Sequence, residues 1–146
     1  MNTTTYPSIA VDIPVRFAET DAMGIVHHSA YIVWFELGRV TWMDAMGVPY
    51  AEIAEGGNHF AVTKLEVQYR GAIRFGEVVK LETTVTTLRS RQVSFSYSVY
   101  NGKGDLAATG RTDHICVDLA GHSAKIPDAV FTRLQAGQFA GSGAHS

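Results

Sequence analysis

The sequence predicts an α+β domain in which a curved antiparallel sheet of about five strands wraps around one long central helix. In four segments apolar and polar residues alternate one by one, which is the pattern of strands with a single buried face, and a fifth segment, residues 105–118, is rich in small and β-branched residues. One longer segment, residues 29–47, is apolar around most of its circumference, as expected for a helix buried on nearly every side. Because flat strands cannot surround such a helix, we expect the sheet to curve.

The first strand is predicted over residues 9–17, where every second residue is apolar. The inward set is Ile9, Val11, Ile13, Val15 and Phe17. Pro14 has no N–H group to donate to a neighbouring strand, so we expect this strand to lie at an edge of the sheet.

The helix is predicted to begin at Ser29, whose hydroxyl suits an N-cap, and to end at Gly47 and Pro49. Glycine adopts the left-handed conformation that ends a helix, and proline prevents the helix from resuming. Gly38 costs about 1 kcal/mol relative to alanine inside a helix. This cost predicts that another backbone packs closely against the helix at that point.

Four further strands are predicted over residues 59–70, 77–88, 91–101 and 105–118, forming a meander. Asn101-Gly102 with Gly104-Asp105 predicts a hairpin turn between the last two strands. Gly76-Glu77 marks another break. A short helix is expected over residues 128–135, followed by a flexible tail at 136–146. The whole chain, residues 1–146, is predicted to form one domain with its core at about residues 9–118.

Composition limits the possible functions. The chain has 146 residues, 46% of them hydrophobic and 18% charged, with a net charge of −2, which suits a globular domain and no nucleic-acid partner. Cys116 is the single cysteine, so an internal disulfide is excluded and a reducing compartment is favoured. No signal peptide or membrane span is recognisable. We therefore expect a cytoplasmic protein.

A carboxylate, a glycine and two adjacent histidines occur together in residues 19–31, ETDAMGIVHHSAY, immediately before the predicted helix. The residues alone leave several interpretations open. Asp21 is either a turn or capping aspartate or a reactive carboxylate, and His28 is either a structural histidine or part of a site. His27 and His28 have no clear third ligand at a fixed spacing, so no metal site is predicted.

The stretch Thr20–Tyr31, TDAMGIVHHSAY, followed by FELGR, resembles the signature of the 4-hydroxybenzoyl-CoA thioesterase-like family. The resemblance extends over about residues 9–118 and implies the hotdog fold, in which a curved sheet wraps one helix. It implies an acyl-CoA thioesterase that hydrolyses a small aliphatic or aromatic acyl-CoA to the free acid and CoA, without a metal or other cofactor. It also implies a homodimer or homotetramer with active sites at the subunit interface. Gly71 stands where members often have proline, which leaves the local backbone open.

The resemblance assigns catalysis to Asp21 and puts the thioester carbonyl at the helix N-terminus near His28. Thioester hydrolysis needs a nucleophile or general base and a group that stabilises the oxyanion. Asp21 either attacks the carbonyl to form a mixed anhydride or activates water. Unpaired N–H groups of the first helical turn, that of His28 above all, polarise the carbonyl with the helix dipole behind them. Gly24 lets the backbone approach the thioester closely.

Further residues are predicted to bind the substrate. They are Gly24, Ile25, Val26, His27, Tyr31, His59, Arg70, Arg89 and Arg91. The arginines stand in YRGAIRFGE and LRSRQ at two predicted turns, where guanidinium groups suit the phosphates of CoA. His59 is expected to reach the pocket of a partner subunit.

Other charged side chains receive structural interpretations. Glu19 is predicted to be a solvated loop charge. Glu36 and Arg39 are three residues apart on the helix and are expected to pair. Asp113 and His114 are neighbours on a strand, so their side chains face opposite ways and cannot act as one dyad.

Two other functions remain open from the sequence. One is a hotdog hydratase or dehydratase acting on an acyl thioester, and the other is a non-catalytic module that binds acyl-CoA or a protein. Addition of water to an enoyl-CoA without release of CoA would indicate the first. Tight binding of CoA without turnover of any thioester would indicate the second.

Overall fold

The computed structural model describes residues 6–144, with side chains through residue 137. The chain contains one antiparallel sheet of five strands in the order β1-β3-β4-β5-β2. The strands are β1 (Ile9–Pro14), β2 (Asn58–Tyr69), β3 (Val78–Leu88), β4 (Gln92–Tyr100) and β5 (Leu106–Asp118). The helices are α1 (His28–Ala45), α2 (Tyr50–Glu55) and α3 (Asp128–Ala144).

The predicted fold class is confirmed, because α1 packs against β1, β3 and β4 on one face of the curved sheet. The predicted meander is only partly right. Strands β3, β4 and β5 follow one another, but β2 crosses over to pair with β5 and occupies the far edge. The chain therefore places one short strand and one long strand at the two edges of the sheet.

Strand β1 lies at an edge, as Pro14 predicted, and Pro14 stands opposite Val78 where the pairing ends. The predicted strand is too long, however. After Val15 the chain turns into a short 3-10 helix at Phe17–Glu19, and Phe17 is exposed instead of facing the core. This early turn brings the following loop to the N-terminus of α1.

Helix α1 begins at His28, with His27 at the N-cap position, so the prediction that Ser29 is the N-cap is wrong. It ends as predicted before Gly47, whose φ of 78° is left-handed. A side chain at Gly38 would collide with the side chains of Thr83 and Leu81 on β3, so the close neighbour is not backbone.

The prediction that α1 is buried on nearly every side is wrong. Ile32, Val33 and Leu37 are exposed, whereas Trp34 and Phe35 are fully buried. The single sheet covers only one side of the helix, and its other side remains apolar and open.

Strand β2 changes the face it presents at a bulge between Val62 and Lys64. Before the bulge Phe60 and Val62 face the helix, and after it Val67 and Tyr69 do so. The uniform alternation predicted over residues 59–70 is therefore wrong in its first half, where Ala61 and Thr63 were expected inside. One inserted residue has reversed the register, because side chains of a strand alternate with period two.

The last elements differ in length from the prediction. Helix α2 was not predicted, and α3 continues through Ala144, beyond the short helix expected at 128–135. Flexibility of the tail stays a prediction, and residues 145 and 146 lie outside the described residues. Arg133 of α3 donates to the backbone oxygen of Gly47 at 2.8 Å and so caps the end of α1.

None of the helices within residues 6–144 is both long and apolar enough to cross a membrane.

Candidate active site

Asp21 lies in a tight turn between the 3-10 helix and α1. Its Oδ1 accepts hydrogen bonds from the N–H groups of Met23 at 2.8 Å and Ile25 at 3.1 Å. These backbone bonds, that from Ile25 first, lower the pKa of the Asp21 carboxyl below its ordinary value. No group in the described chain donates to Oδ2. One carboxylate oxygen is thus fixed by the turn, while the other remains available for a reacting partner.

Gly24 closes this turn. Its φ of 78° favours glycine, and no protein atom lies close enough to contact a side chain built there. Its backbone oxygen accepts from the N–H of Phe75 at 2.9 Å, and Ile25 forms a bridge with Arg74. The loop is therefore attached to the segment that precedes β3. Val26, the next residue, is buried.

Glu19 is buried, so its interpretation as a solvated loop charge is wrong. Its carboxylate accepts from the backbone N–H of Arg16 at 2.8 Å and from the indole N–H of Trp34 at 3.0 Å. Burial alone would raise the pKa of this carboxyl, but the hydrogen bonds from Arg16 and Trp34 lower it overall. Glu19 therefore ties the loop before Asp21 to the second turn of α1. Its position directly before the Thr20-Asp21 pair was the only sequence signal for this role.

The N-terminus of α1 presents unpaired N–H groups. The N–H of His27 donates to the backbone oxygen of Glu19 at 2.9 Å, and that of Ala30 donates to His27. Within residues 6–144, neither His28 nor Ser29 has an acceptor for its backbone N–H. These two groups carry the positive end of the helix dipole and can bind a carbonyl or oxyanion.

The His28 ring is exposed and lies against the aromatic residues at the end of β2. Its centroid is 5.0 Å from that of Tyr69, which in turn lies 5.1 Å from the ring of Tyr31. Tyr31 is 3% exposed, and burial raises the pKa of its hydroxyl to about 12. Tyr31 therefore stays protonated and fixes one wall beside the His28 imidazole.

The predicted site residues fall into two groups. One group surrounds the N-terminus of α1 and consists of Asp21, Gly24, Ile25, Val26, His27, His28, Tyr31 and Arg70. The other group, His59, Arg89 and Arg91, lies at the opposite end of the sheet. The backbone oxygen of Arg91 accepts a hydrogen bond from the backbone N–H of Cys116, and Cys116 pairs with Phe60, the residue after His59. Along β2, His59 and Tyr69 are separated by about 30 Å. The structure does not bring these groups together within one chain.

A cavity of ≈ 330 Å³ lies near the middle of α1, at a distance from the Asp21 loop. It is bounded by α1, α2, β2, β4 and β5. Its charged and titratable lining residues are Glu36, Arg39, Tyr50 and His114.

The predicted ion pair between Glu36 and Arg39 is absent within the described residues. Arg39 instead donates to the hydroxyl of Tyr97 at 3.2 Å. A buried chain continues from Tyr97 to the Thr112 hydroxyl at 2.6 Å and on to Nε2 of His114 at 2.8 Å. His114 faces inward and Asp113 does not, as the strand pattern predicted. The sequence pattern did not reveal that α1 and two strands share this polar chain.

Metal ligands are not grouped in the part of the chain that the structure describes. No set of three His, Cys, Asp or Glu side chains there is arranged to hold a metal ion. His27 and His28 accordingly have no third ligand nearby.

Comparisons with known proteins identify related chains. The sequence model of the thioesterase-like superfamily matches residues 15–134. YneP of Bacillus subtilis, which carries the provisional name of an acyl-CoA thioesterase, is 34% identical over 73% of this chain and 78% of its own.

Solved structures share the fold. A hypothetical protein, TT1821 from Thermus thermophilus, has a TM-score of 0.83 and 39% identity over 88% of this chain and 96% of its own. A DHNA-CoA thioesterase from Staphylococcus aureus has a TM-score of 0.82 and 32% identity, covering 92% of this chain and 95% of its own.

Proposed function

The chain belongs to the thioesterase-like superfamily and is a thioester hydrolase, and from that premise we propose that Asp21 is the catalytic carboxylate. The substrate of the enzyme is a small aliphatic or aromatic acyl-CoA, and the products are the free acid and CoA. The observation that carries this proposal is the geometry of the loop. Asp21 has one oxygen without a hydrogen-bond partner in the described chain, and the unpaired N–H groups of His28 and Ser29 begin the adjacent helix.

The Asp21 carboxylate has two routes to the products. As a nucleophile, it bonds to the carbonyl carbon and expels the CoA thiolate, and water then hydrolyses the mixed anhydride. As a general base, it takes a proton from water while the water oxygen attacks the same carbon; the tetrahedral intermediate then breaks its C–S bond, and the departing CoA thiolate takes the proton from Asp21. Both routes need the ionised carboxylate, which the hydrogen bonds from Ile25 and Met23 favour by lowering the pKa of Asp21.

The N-terminus of α1 supplies the electrophilic partner in either route. As the carbonyl oxygen gains negative charge, the N–H groups of His28 and Ser29 donate to it, with the helix dipole behind them. The His28 imidazole stands against Tyr69 and is suited to contact the substrate at the edge of this site. Neither step requires a metal or organic cofactor, since CoA is part of the substrate.

The phosphates of CoA need cations at the mouth of the site. Arg70 follows Tyr69 directly and is exposed at the same end of β2 as His28, so it is the best placed of the predicted arginines. Arg89 and Arg91 lie at the opposite end and serve only a site completed by a second subunit. All three assignments are part of the proposal.

The second subunit is itself part of the proposal, as a homodimer or a tetramer of such dimers. Strand β2 is a long edge strand with exposed Val62, Leu65 and Tyr69, and such edges usually pair. Two-fold pairing of β2 with its copy joins the two sheets and keeps both α1 helices on one face.

The test of the proposed function is the rate of thiol release from short, medium and aromatic acyl-CoAs. We expect Asp21→Asn to lower kcat about 1,000-fold on every substrate that the wild type hydrolyses. Asp12→Asn is the control, because Asp12 is an exposed aspartate on β1, at the edge of the sheet opposite β2.

Three results would contradict the proposal. A folded Asp21→Asn variant with wild-type hydrolysis would remove Asp21 from the mechanism. Hydration of an enoyl-CoA without release of CoA would replace hydrolysis as the reaction. Binding of CoA with no turnover across the panel would indicate a binding module.

A further inference from the structure

The cavity beside the middle of α1 combines an apolar wall with a charged floor. Val40, Met43, Phe60 and Phe95 contribute apolar surface, and Arg39 and His114 contribute polar atoms. Its volume of ≈ 330 Å³ lies at the lower end of the range for small-molecule pockets, roughly 300–1,000 Å³. The size and composition suit a short acyl chain with one polar end.

Arg39 is the side chain in this cavity with N–H donors left over for a ligand. It is half-buried, and its Nη1 donates a hydrogen bond to the Tyr97 hydroxyl. In the part of the chain that the structure describes, no carboxylate lies within ion-pair distance of it. A guanidinium carries five N–H donors in a planar fork that matches a carboxylate. Arg39 therefore has donors to offer to a ligand.

The buried chain behind Arg39 fixes its position and adds a second donor. Tyr97 accepts from Arg39 and can donate to Thr112, which can donate to Nε2 of His114. In that arrangement the remaining ring proton of His114 is on Nδ1, which has no partner within residues 6–137. Burial first, and then the charge of Arg39, lowers the pKa of His114 to about 4, so the ring is neutral at pH 7.

Glu36 is the one carboxylate that lines the same cavity. Its side chain is exposed, so solvent screens its charge, whereas Arg39 is half-buried and attached to the cavity floor. The floor of the cavity therefore favours an anion, and Glu36 moderates that preference near the opening.

Two-fold pairing of β2 determines which Asp21 this cavity serves. Within one chain, Arg39 stands eleven residues after His28 on α1, a rise of about 16 Å. In an antiparallel pair related by a two-fold axis, the Tyr69 end of one β2 meets the Asn58 end of its copy. Tyr69 contacts His28, and Phe60 near the other end lines the cavity. In the proposed dimer, the cavity of one subunit would therefore lie beside the catalytic loop of its partner.

We propose that this cavity receives the acyl group held by the partner's catalytic loop, and that Arg39 pairs with a carboxylate at its far end. The preferred substrates are then CoA thioesters of dicarboxylic acids. This inference rests on the proposed function, because it names the acyl group that the Asp21 site hydrolyses. Arg39 acts as a specificity residue and takes no part in the bond-breaking step.

The experiment compares adipoyl-CoA with hexanoyl-CoA, which have the same chain length and differ in their far end. We expect the wild type to hydrolyse adipoyl-CoA with a higher kcat/KM than hexanoyl-CoA. Arg39→Met should lower the adipoyl-to-hexanoyl ratio of kcat/KM about 10- to 100-fold, the effect of one lost hydrogen bond between charged groups. Glu36→Gln should raise this ratio, because it removes a like charge from the opening.

Control variants separate the specific effect from a change in net charge or folding. Lys80→Met removes an exposed positive charge on β3 and should leave the ratio unchanged. Arg39→Lys keeps the charge but loses the planar fork, so its ratio should fall between those of the wild type and Arg39→Met.

The outcomes distinguish this inference from the proposed function. If hexanoyl-CoA is hydrolysed but the ratio is the same in Arg39→Met and the wild type, the role of Arg39 is wrong while the thioesterase stands. A wild type whose kcat/KM for hexanoyl-CoA equals or exceeds that for adipoyl-CoA would also overturn the inference. If neither thioester nor any other acyl-CoA releases thiol, the proposed function itself fails.

Discussion

The N-terminus of α1 and the cavity beside the middle of α1 differ in what they offer to a substrate. The N-terminus at His28 has the Asp21 carboxylate, two unpaired amides and an exposed imidazole, but the cavity of ≈ 330 Å³ does not extend to it. The cavity at Arg39 has a cationic floor, but none of its lining residues is a carboxylate held by backbone amides. Each region therefore lacks what the other region has.

Under the proposed function, this difference means that one chain carries two half-sites. A thioester positioned by His28 needs walls for its acyl group, and a cavity near Arg39 needs a group that performs chemistry. In the proposed dimer, two-fold pairing of β2 would place the catalytic loop of one chain beside the cavity of the other and complete two sites at once. Activity would then depend on association of the subunits.

The largest expected effect comes from separating the half-sites. Leu65 is exposed near the middle of β2, so Leu65→Glu puts two like charges close to the two-fold axis. Opposed like charges at an interface cost several kcal/mol, and we expect dissociation and a loss of activity of more than about 100-fold. Sedimentation velocity and thiol release, measured at the same protein concentration, check this prediction.

Val78→Glu is the control for that variant, because Val78 is also an exposed apolar residue but lies on β3, opposite Pro14 at the other edge of the sheet. It should leave both the mass and the activity unchanged. An active Leu65→Glu monomer would show that the two half-sites work without a partner.

A smaller effect is expected from loosening the catalytic end alone. Glu19→Gln cannot accept from both Arg16 and the Trp34 indole as the carboxylate does, so the loop before Asp21 loses one attachment to α1. We expect kcat to fall about 10-fold, and the free energy of unfolding to fall by about 1–3 kcal/mol. Urea unfolding and thiol-release kinetics measure the two effects. Glu52→Gln, which removes an exposed charge paired with Arg133, should change neither appreciably.

The last effect concerns the cavity and appears only when the pH changes. The pKa of His114 is about 4 in the fold and about 6.5 in an unfolded chain, so the unfolded state binds more protons between these values. Stability is therefore complete above pH 6.5 and declines as the pH falls toward 4. Between pH 7 and pH 5 this one group should remove about 2 kcal/mol from the free energy of unfolding.

His114→Gln should lose that part of the pH dependence, whereas His122→Gln, at an exposed turn, should keep it. Urea unfolding at the two pH values provides the measurement. Equal pH dependence in the wild type and His114→Gln would mean that His114 is not held neutral at the cavity floor.

Local patterns predicted most of the fold, and interactions between distant segments explain the errors. Alternating residues located four strands and small and β-branched residues located the fifth, and Pro14 and Gly47 marked an edge and a helix end correctly. The bulge after Val62 has no signal of its own, because a one-residue insertion shows only against the paired strand β5. The exposure of one side of α1 could not be predicted from the sequence either, because an apolar residue gives the same pattern whether its own sheet or a second chain covers it.

The candidate site was predictable to the extent that it is local. Asp21, Gly24 and His28 belong to one continuous loop and helix start, where spacing alone fixes neighbours. Glu19 was misjudged because its partner Trp34 lies fifteen residues away. The Arg39 chain was missed because its four members come from α1, β4 and β5 and meet only in the folded protein.

The most direct test of a site shared between subunits is a mixed dimer of Asp21→Asn and Arg39→Met chains, purified through two different tags and assayed with adipoyl-CoA. If the half-sites combine across the interface, one of the two sites regains both Asp21 and Arg39. Its activity per dimer should then be about half that of the wild type and far above that of either parent. A mixed dimer that is no more active than the Arg39→Met parent would show that Asp21 and Arg39 do not serve one site from two chains.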